Sequence, residues 1–445
     1  MNPILLKPTG NASSQVVVLG RPAGNFPAMK YHTEFAPMAL DIIKGALDRL
    51  RTENDLIIIE GAGSPAEVNL QEHEIVNMRI ARMAGAPVLL VADIDKGGAL
   101  ASLVGTLELV APEDRDRIVG FIINKFRGDL NLFRPAIDFL EKKTGKPVLG
   151  VVPYFQDIRI QEEDTIPEDR SRAEQVGELG TVEIAVIRLP HIANFTDFDP
   201  LEDEPDVRLR YVGGPDFLGR PDLIILPGTK NTIEDLDFLN RTGLAGQILE
   251  QRRAGTPIIG ICGGLQMLGR ELNDPLHTES ELPQIKGLGL LDITTTFAPD
   301  KITSQVEAEV AGSGFFLYGA PASRITGYEI HMGRTELGPD LRPAFTILMR
   351  SGEKVYFPDG AVSRDGLVFG TYIHGIFDND SFRRHIINTL RRKKGLEPLA
   401  VSGTKSVLEQ RRQDFDRLAD LVRNSLDLHK LYQVVGLAGP ARGRK

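Results

Sequence analysis

A single cysteine stands in the 445 residues, in a setting that could make it a nucleophile. The apolar run from Pro257 to Ile261 predicts a short buried strand. Cys262 follows at once, then Gly263 and Gly264, then Leu265, Leu268 and Leu272 at helical spacing. A side chain on a tight strand-to-helix turn stands above the sheet edge, and small neighbours let a substrate carbonyl approach backbone N–H groups. The start of a helix also favours the thiolate. A lone cysteine is more often a small buried apolar residue, but Gly260 and Gly263 on either side favour the elbow. A thiolate attacking an acyl group needs a base and donors for the developing oxyanion. Of eight histidines, His374 in Gly370-Thr-Tyr-Ile-His-Gly-Ile-Phe377 is best placed, at the end of an apolar strand. His331 in Gly327-Tyr-Glu-Ile-His-Met-Gly-Arg334 is the alternative. Distance along the chain from Cys262 does not decide between them. The Gly263 N–H is one oxyanion donor, and the glycine turn Leu226-Pro-Gly-Thr-Lys230 offers a second at Gly228.

These groups need a scaffold, and the chain supplies an α/β pattern twice. In the first half, apolar runs at Val16–Leu19, Leu56–Ile59, Val88–Ala92, Ile118–Ile123 and Val148–Val152 predict strands. They alternate with helical stretches around Leu40–Leu50, Gln71–Ala84, Gly98–Val110 and Leu132–Lys143. Strands apolar throughout and separated by helices predict a parallel, doubly wound sheet, whose ligands bind at the carboxyl ends of the strands. Three polar segments fall at such ends: Glu60-Gly-Ala-Gly-Ser-Pro65, Asp93-Ile-Asp-Lys-Gly-Gly98 and Asn124-Lys-Phe-Arg-Gly-Asp129. A carboxylate there can hold Mg²⁺ with nucleotide phosphates, and Asn-Lys can meet a purine. Gly, Asp and Asn are also ordinary turn residues; it is the coincidence of three on one edge that points to a nucleotide. No G-x-x-x-x-G-K-[ST] occurs in the sequence.

Residues 157–180 are charged and predict a linker. A second α/β series begins at Val182–Ile187, passes through Leu223–Leu226 and the cysteine strand, and continues into a strand-rich part: Gly287–Phe297, Val306–Val310, Ile325–His331, Ala344–Met349 and Leu367–Tyr372. Leucines at helical spacing from Lys405 to Leu431 predict a C-terminal helical region. The expected organisation is 1–156, a linker over 157–180, 181–395, and a helical region with tail over 396–445. A net charge of −9 leaves no basic surplus for nucleic acid. No apolar run is long enough to span a bilayer, no secretory signal is visible, and a single cysteine suits a reducing compartment, so a cytoplasmic protein is expected.

The motifs carry a resemblance. G-I-C-G-G-L-Q-M-L-G is similar to the nucleophile motif of class I glutamine amidotransferases. L-P-G-T-K and G-T-Y-I-H-G-I-F resemble the forms found in the family of cobyric acid synthases and cobyrinic acid a,c-diamide synthases. M-N-P-I-L-L-K-P-T-G, I-E-G-A-G-S-P-A-E-V-N-L, L-V-A-D-I-D-K-G-G, I-N-K-F-R-G-D and G-Y-E-I-H-M-G-R-T resemble the cobyric acid synthases in particular, and the likeness runs from residue 1 to about 390.

The resemblance implies a P-loop, dethiobiotin synthetase-like domain followed by a class I amidotransferase-like α/β domain. In that family the P-loop precedes M-N-P-I-L-L-K-P, so an N-terminally truncated member is expected, able to hydrolyse glutamine but poor at amidation. Implied further are the substrates glutamine, ATP with Mg²⁺, and a corrinoid, adenosylcobyrinic acid a,c-diamide, amidated at its b, d, e and g carboxylates. By the same resemblance Cys262 is the nucleophile, His374 its proton carrier, Gly228 and Gly263 the oxyanion donors, and Gln266 a contact for the substrate glutamine. Glu60 matches the residue that holds Mg²⁺ and Asn124 a base-contacting position; Asp95, Lys96 and Lys7 are candidates for phosphate or corrinoid contact. Class I enzymes commonly carry Glu two residues after the histidine. Ile376 stands there, so a Cys–His dyad is expected, its histidine oriented by another group. The alternatives are an a,c-diamide synthase, an amidotransferase of cell-wall lipid intermediates, a chain with glutaminase activity alone, and a regulatory ATPase relative.

Overall fold

Leu19 and Gly20 both adopt left-handed backbone, at φ 48° and 82°, and this pair settles the start of the computed structural model, which describes residues 2–10, 13–27, 35–69, 74–155, 158, 160, 180–321, 324–400 and 406–437. Two consecutive residues at positive φ turn a chain back on itself. The strands β1 (Ile4–Gly10), β2 (Ser13–Val18) and β3 (Arg21–Pro27) therefore form an antiparallel sheet in that order. Val16–Leu19 was expected in the parallel sheet; apolar content marks a strand but not its partner's direction. Val16 packs instead with Phe35, Ala39 and Ile75, beside helix Ala36–Glu53.

The chain divides into two compact units: Met1–Arg159 with Gln413–Lys445, and Ile160–Arg412. In the first, β4 (Val88–Asp93), β5 (Ile118–Phe126) and β6 (Val148–Pro153) form a parallel sheet in the order β4-β5-β6. Helices Ala99–Leu109 and Leu130–Thr144 contribute Leu103, Leu107 and Leu140 to a core with Leu90, Phe121 and Ile123. The second helix starts where Asp129 accepts from Asn131 N and ends at left-handed Gly145. Leu56–Ile59 is not a strand. Leu56, Ile58 and Ile59 are exposed, and a buried parallel strand needs neighbours on its ladder that this stretch lacks among the described residues. The helix expected over about 71–84 is observed as Met78–Ala84, residues 70–73 lying outside the described set. The linker 157–180 lies almost entirely outside it. The expected C-terminal region does not stand alone: the unit boundary falls inside helix Val407–Ser425, and Asp427 N donates to Leu149 O at 2.7 Å.

The second unit is built on β7 (Val182–Ile187), β8 (Val207–Val212), β9 (Leu223–Leu226), β10 (Ile258–Ile261), β17 (Ala361–Val362) and β18 (Val368–Thr371), in the order β17-β18-β10-β9-β7-β8. All pairs are parallel except β17 with β18. The residues of β9, β10 and β18 are all buried, which is why β9 and β10 read as unbroken apolar runs and β18 as one up to Thr371. A second sheet holds β11 (Glu271–Asn273), β12 (Gln284–Lys286), β13 (Ile293–Val310), β14 (Ile325–Leu337), β15 (Phe345–Arg350), β16 (Glu353–Asp359) and β19 (Ile373–His374). The segments expected at Gly287–Phe297 and Val306–Val310 meet in the single long β13. After β18 the chain leaves the first sheet and pairs with β14, setting His374 opposite Tyr328.

Buried charge fastens this region. Arg383, in helix Asp380–Lys393, donates to Glu204 Oε1 and to Phe377 O, each at 2.7 Å; Arg384 and Arg391 bond Asp206. Guanidinium groups taken out of water need such partners. Among the described residues no helix is long and apolar enough to cross a membrane.

Candidate active site

Four neighbouring parallel strands, β18, β10, β9 and β7, deliver the site from their carboxyl ends, the ligand-binding edge of an α/β sheet. From β10 comes Cys262, at φ 52° and ψ −108°, ahead of helix Gly263–Leu268. A side chain in that region is strained, and the surroundings impose it: Cys262 N donates to Thr371 O at 2.8 Å and its carbonyl accepts from Gln266 N. The helix packs so tightly on β9 that a Cβ at Gly264 would lie 2.0 Å from Leu226 O. The Cys262 thiol donates to Ile330 O of β14 at 3.5 Å.

Gly228, just beyond β9, lies between the two expected reacting groups. A Cβ there would be 2.9 Å from His374 Cε1 and 3.7 Å from Cys262 Cβ. The structure thus brings Cys262, His374, Gly228 and Gly263 together. His374 is fully buried, and its ring stacks on Tyr328 with centroids 5.1 Å apart. Its alternative, His331, donates from Nδ1 to Gly333 O at 3.0 Å and stacks on Tyr372.

The group that orients His374 is Asp197, from the segment after β7. Its Oδ2 lies 2.7 Å from His374 Nδ1, and its Oδ1 accepts from Gly375 N at 3.0 Å. Asn194, left-handed at φ 53°, places its amide 3.3 Å from His374 Nε2. Burial pushes the imidazole pKa down, but the Asp197 carboxylate and the Cys262 sulfur outweigh it and raise the value to about 10. His374 is therefore an imidazolium held between the Asp197 carboxylate and the Cys262 sulfur. No local motif marks Asp197, one of two acidic residues in Asn194-Phe-Thr-Asp-Phe-Asp199.

Gln266 is buried with both amide ends engaged: Oε1 accepts from Thr232 Oγ1 at 2.9 Å and Nε2 donates to Tyr372 Oη at 3.1 Å. Thr232 N donates to Glu279, whose removal from solvent lifts its pKa to about 7.

In the first unit, β4 and β5 bring Asp93, Asp95, Lys96, Asn124, Lys125 and Arg127 to one edge. Asp93 pairs with Lys125 and Asp95 with Arg127, each at 2.9 Å, and the guanidinium of Arg127 stacks on Tyr154. The Lys125 bond holds the Asp93 carboxyl below its usual range. Three cations and an amide on an exposed strand edge are donors that fit a nucleotide's phosphates and base. Among the described residues no three metal-binding side chains cluster. Glu60 is exposed, and no bond joins it to this group among the described residues; the Glu60 loop is tied instead to Asn77 through Ala62. Lys7 lies on β1, its side chain outside the described set.

A cysteine on an elbow above a parallel sheet, with a carboxylate-bound histidine from a neighbouring strand, defines a glutamine amidotransferase of the class I type. Residues 183–382 match the CobB/CobQ-like glutamine amidotransferase domain, and residues 22–161 match an AAA domain. The chain is 53% identical over 445 residues to the cobyric acid synthase of Pelotomaculum thermopropionicum, covering 99% of this chain and 84% of that one. With the cobyric acid synthase of Moorella thermoacetica it shares 54% over 440 residues, at the same coverage. It belongs to the cobyric acid synthase family. Among solved structures, PurLQS from Thermotoga maritima is similar at 21% identity and a TM-score of 0.37, covering 47% of this chain and 99% of that one, too distant to add to the assignment.

Proposed function

We propose that this chain takes ammonia from glutamine at Cys262 and uses it, with ATP and Mg²⁺, to amidate the b, d, e and g carboxylates of adenosylcobyrinic acid a,c-diamide. The observation that carries the glutaminase half is the line Cys262–His374–Asp197 beside Gly228. Membership of the family carries the acceptor half.

The Cys262 sulfur attacks the carboxamide carbon of glutamine, and the carbonyl oxygen becomes an oxyanion facing the N–H groups of Gly228 and Gly263. When the C–N bond breaks, the departing nitrogen takes the His374 proton and leaves as ammonia, with a glutamyl thioester on Cys262. His374, now neutral, removes a proton from water as the water attacks the thioester. Glutamate leaves, and the thiolate–imidazolium pair returns. Asp197 holds Nδ1 and keeps the ring protonated and turned toward sulfur. Gln266, braced by Thr232 and Tyr372, forms a wall of the glutamine pocket.

ATP would phosphorylate the acceptor carboxylate, leaving ADP, and ammonia would attack the acyl carbon and displace inorganic phosphate. Lys96, Lys125 and Arg127 are the cations that hold phosphates, Asn124 meets the base, and Asp95 keeps Arg127 in place. Glu60 supplies a carboxylate to Mg²⁺. The test is a product analysis with ATP, Mg²⁺ and the a,c-diamide, using glutamine or ammonium as nitrogen source. Four successive amide products from either source are expected, and no gain of amide from either source contradicts the proposal.

A further inference from the structure

Asp235 lies in the first turn of helix Thr232–Thr242 and has no exposed surface. A carboxylate withdrawn from water is costly unless its oxygens are bonded, and here they are bonded to two loops of the reaction centre. Its Oδ1 meets His191 Nδ1 at 2.8 Å and accepts from His191 N at 3.2 Å; its Oδ2 accepts from the Thr229 hydroxyl. The same two loops are laced along their backbones. Lys230 N donates to His191 O and Ala193 N to Gly228 O, both at 2.9 Å, and Ile192 forms an isolated bridge with Thr229. The Thr229 methyl in turn lies where a Cβ on Gly263 would fall, 2.6 Å away. Gly228 is thus held from its carbonyl side by Ala193 and from its C-terminal neighbour by Asp235.

We infer that Asp235 is a positioning residue of the glutaminase site: through Thr229 and His191 it fixes the Gly228 turn, and with it the place of an oxyanion donor. The inference rests on the proposed glutaminase reading of Cys262. Donors to an oxyanion act through fixed placement, so a turn free to shift loses transition-state stabilisation without losing the substrate. The nucleophile and His374 are bonded through other residues, Thr371, Ile330 and Asp197, and do not depend on this carboxylate.

The experiment compares Asp235→Asn, Thr229→Val and His191→Ala in the full chain. Steady-state glutamine hydrolysis and the rate of Cys262 alkylation by iodoacetamide are measured for each. Asp235→Asn and Thr229→Val are expected to lower kcat by about 10- to 100-fold, the scale of a weakened oxyanion donor. KM should stay within about threefold, as for an interaction made only in the transition state. His191→Ala moves kcat the same way by less, and alkylation keeps its wild-type rate in all three. Should Asp235→Asn fail to fold, Thr229→Val decides, since that half-buried position loses only its hydroxyl. Wild-type kcat in Thr229→Val overturns the inference, and so does a fall in kcat matched by an equal fall in alkylation. If the wild-type chain does not hydrolyse glutamine at all, the glutaminase reading fails instead.

Discussion

Asp197 and His374 are 177 positions apart in the chain and meet in a 2.7 Å hydrogen bond between Oδ2 and Nδ1, both side chains shut off from solvent. The expected dyad is therefore backed by a carboxylate that arrives from another strand. β7 and β18 are not neighbours; β10 and β9 lie between them, and the elbow and the Gly228 turn project from those two strands. The histidine thus stands between the Asp197 carboxylate and Cys262.

Replacing Asp197 by Asn removes the charge that outweighs burial at His374. The imidazole pKa then falls from about 10. The alkaline limb of the pH–rate profile for glutamine hydrolysis should move to lower pH, and kcat at neutral pH should drop on the order of a hundredfold. A group whose folded pKa is raised stabilises the fold fully below its unfolded value, 6.5, and loses that contribution as pH rises through about 10. The urea midpoint of the wild type should accordingly decline across that window, and that of Asp197→Asn should decline less.

Gly228→Ala tests the closeness of the turn to the reacting pair. The new methyl would stand 2.9 Å from His374 Cε1, so the ring or the turn must give way. An overpacked site costs about 1–3 kcal/mol. Glutamine hydrolysis is expected to fall roughly 5- to 150-fold, by the conversion of about 1.4 kcal/mol per decade, with an unchanged circular dichroism spectrum. Wild-type turnover would remove Gly228 from the site.

Cys262, His374 and Gly228 were legible because each follows its own strand within a few residues and carries glycines that only a close approach requires. Asp197 was not. It follows β7 by ten residues, in a segment with Asp199, Glu202 and Asp203 nearby, and nothing local separates the one that turns inward from those that do not. Asp235 was hidden in the same way, as an ordinary acidic residue in a first helical turn. In the first unit the sequence showed where chain is apolar, and Val88–Ala92, Ile118–Ile123 and Val148–Val152 became parallel strands as expected. It did not show pairing. The Leu19–Gly20 turn made Val16–Leu19 part of an antiparallel sheet, and Leu56–Ile59 forms no ladder among the described residues. Pairing is decided by what lies alongside, which periodicity does not record.

The most direct measurement is mass spectrometry of the peptide that carries Cys262, after acid quenching of the protein during turnover with glutamine. A glutamyl adduct on Cys262 is predicted in the wild type. It should accumulate in a variant slowed at thioester hydrolysis and be absent from Cys262→Ala, which should also lose glutamine hydrolysis while keeping any ammonium-dependent amidation. Glutamine hydrolysis at the wild-type rate in Cys262→Ala, or an adduct on another residue, would contradict the assignment of the nucleophile.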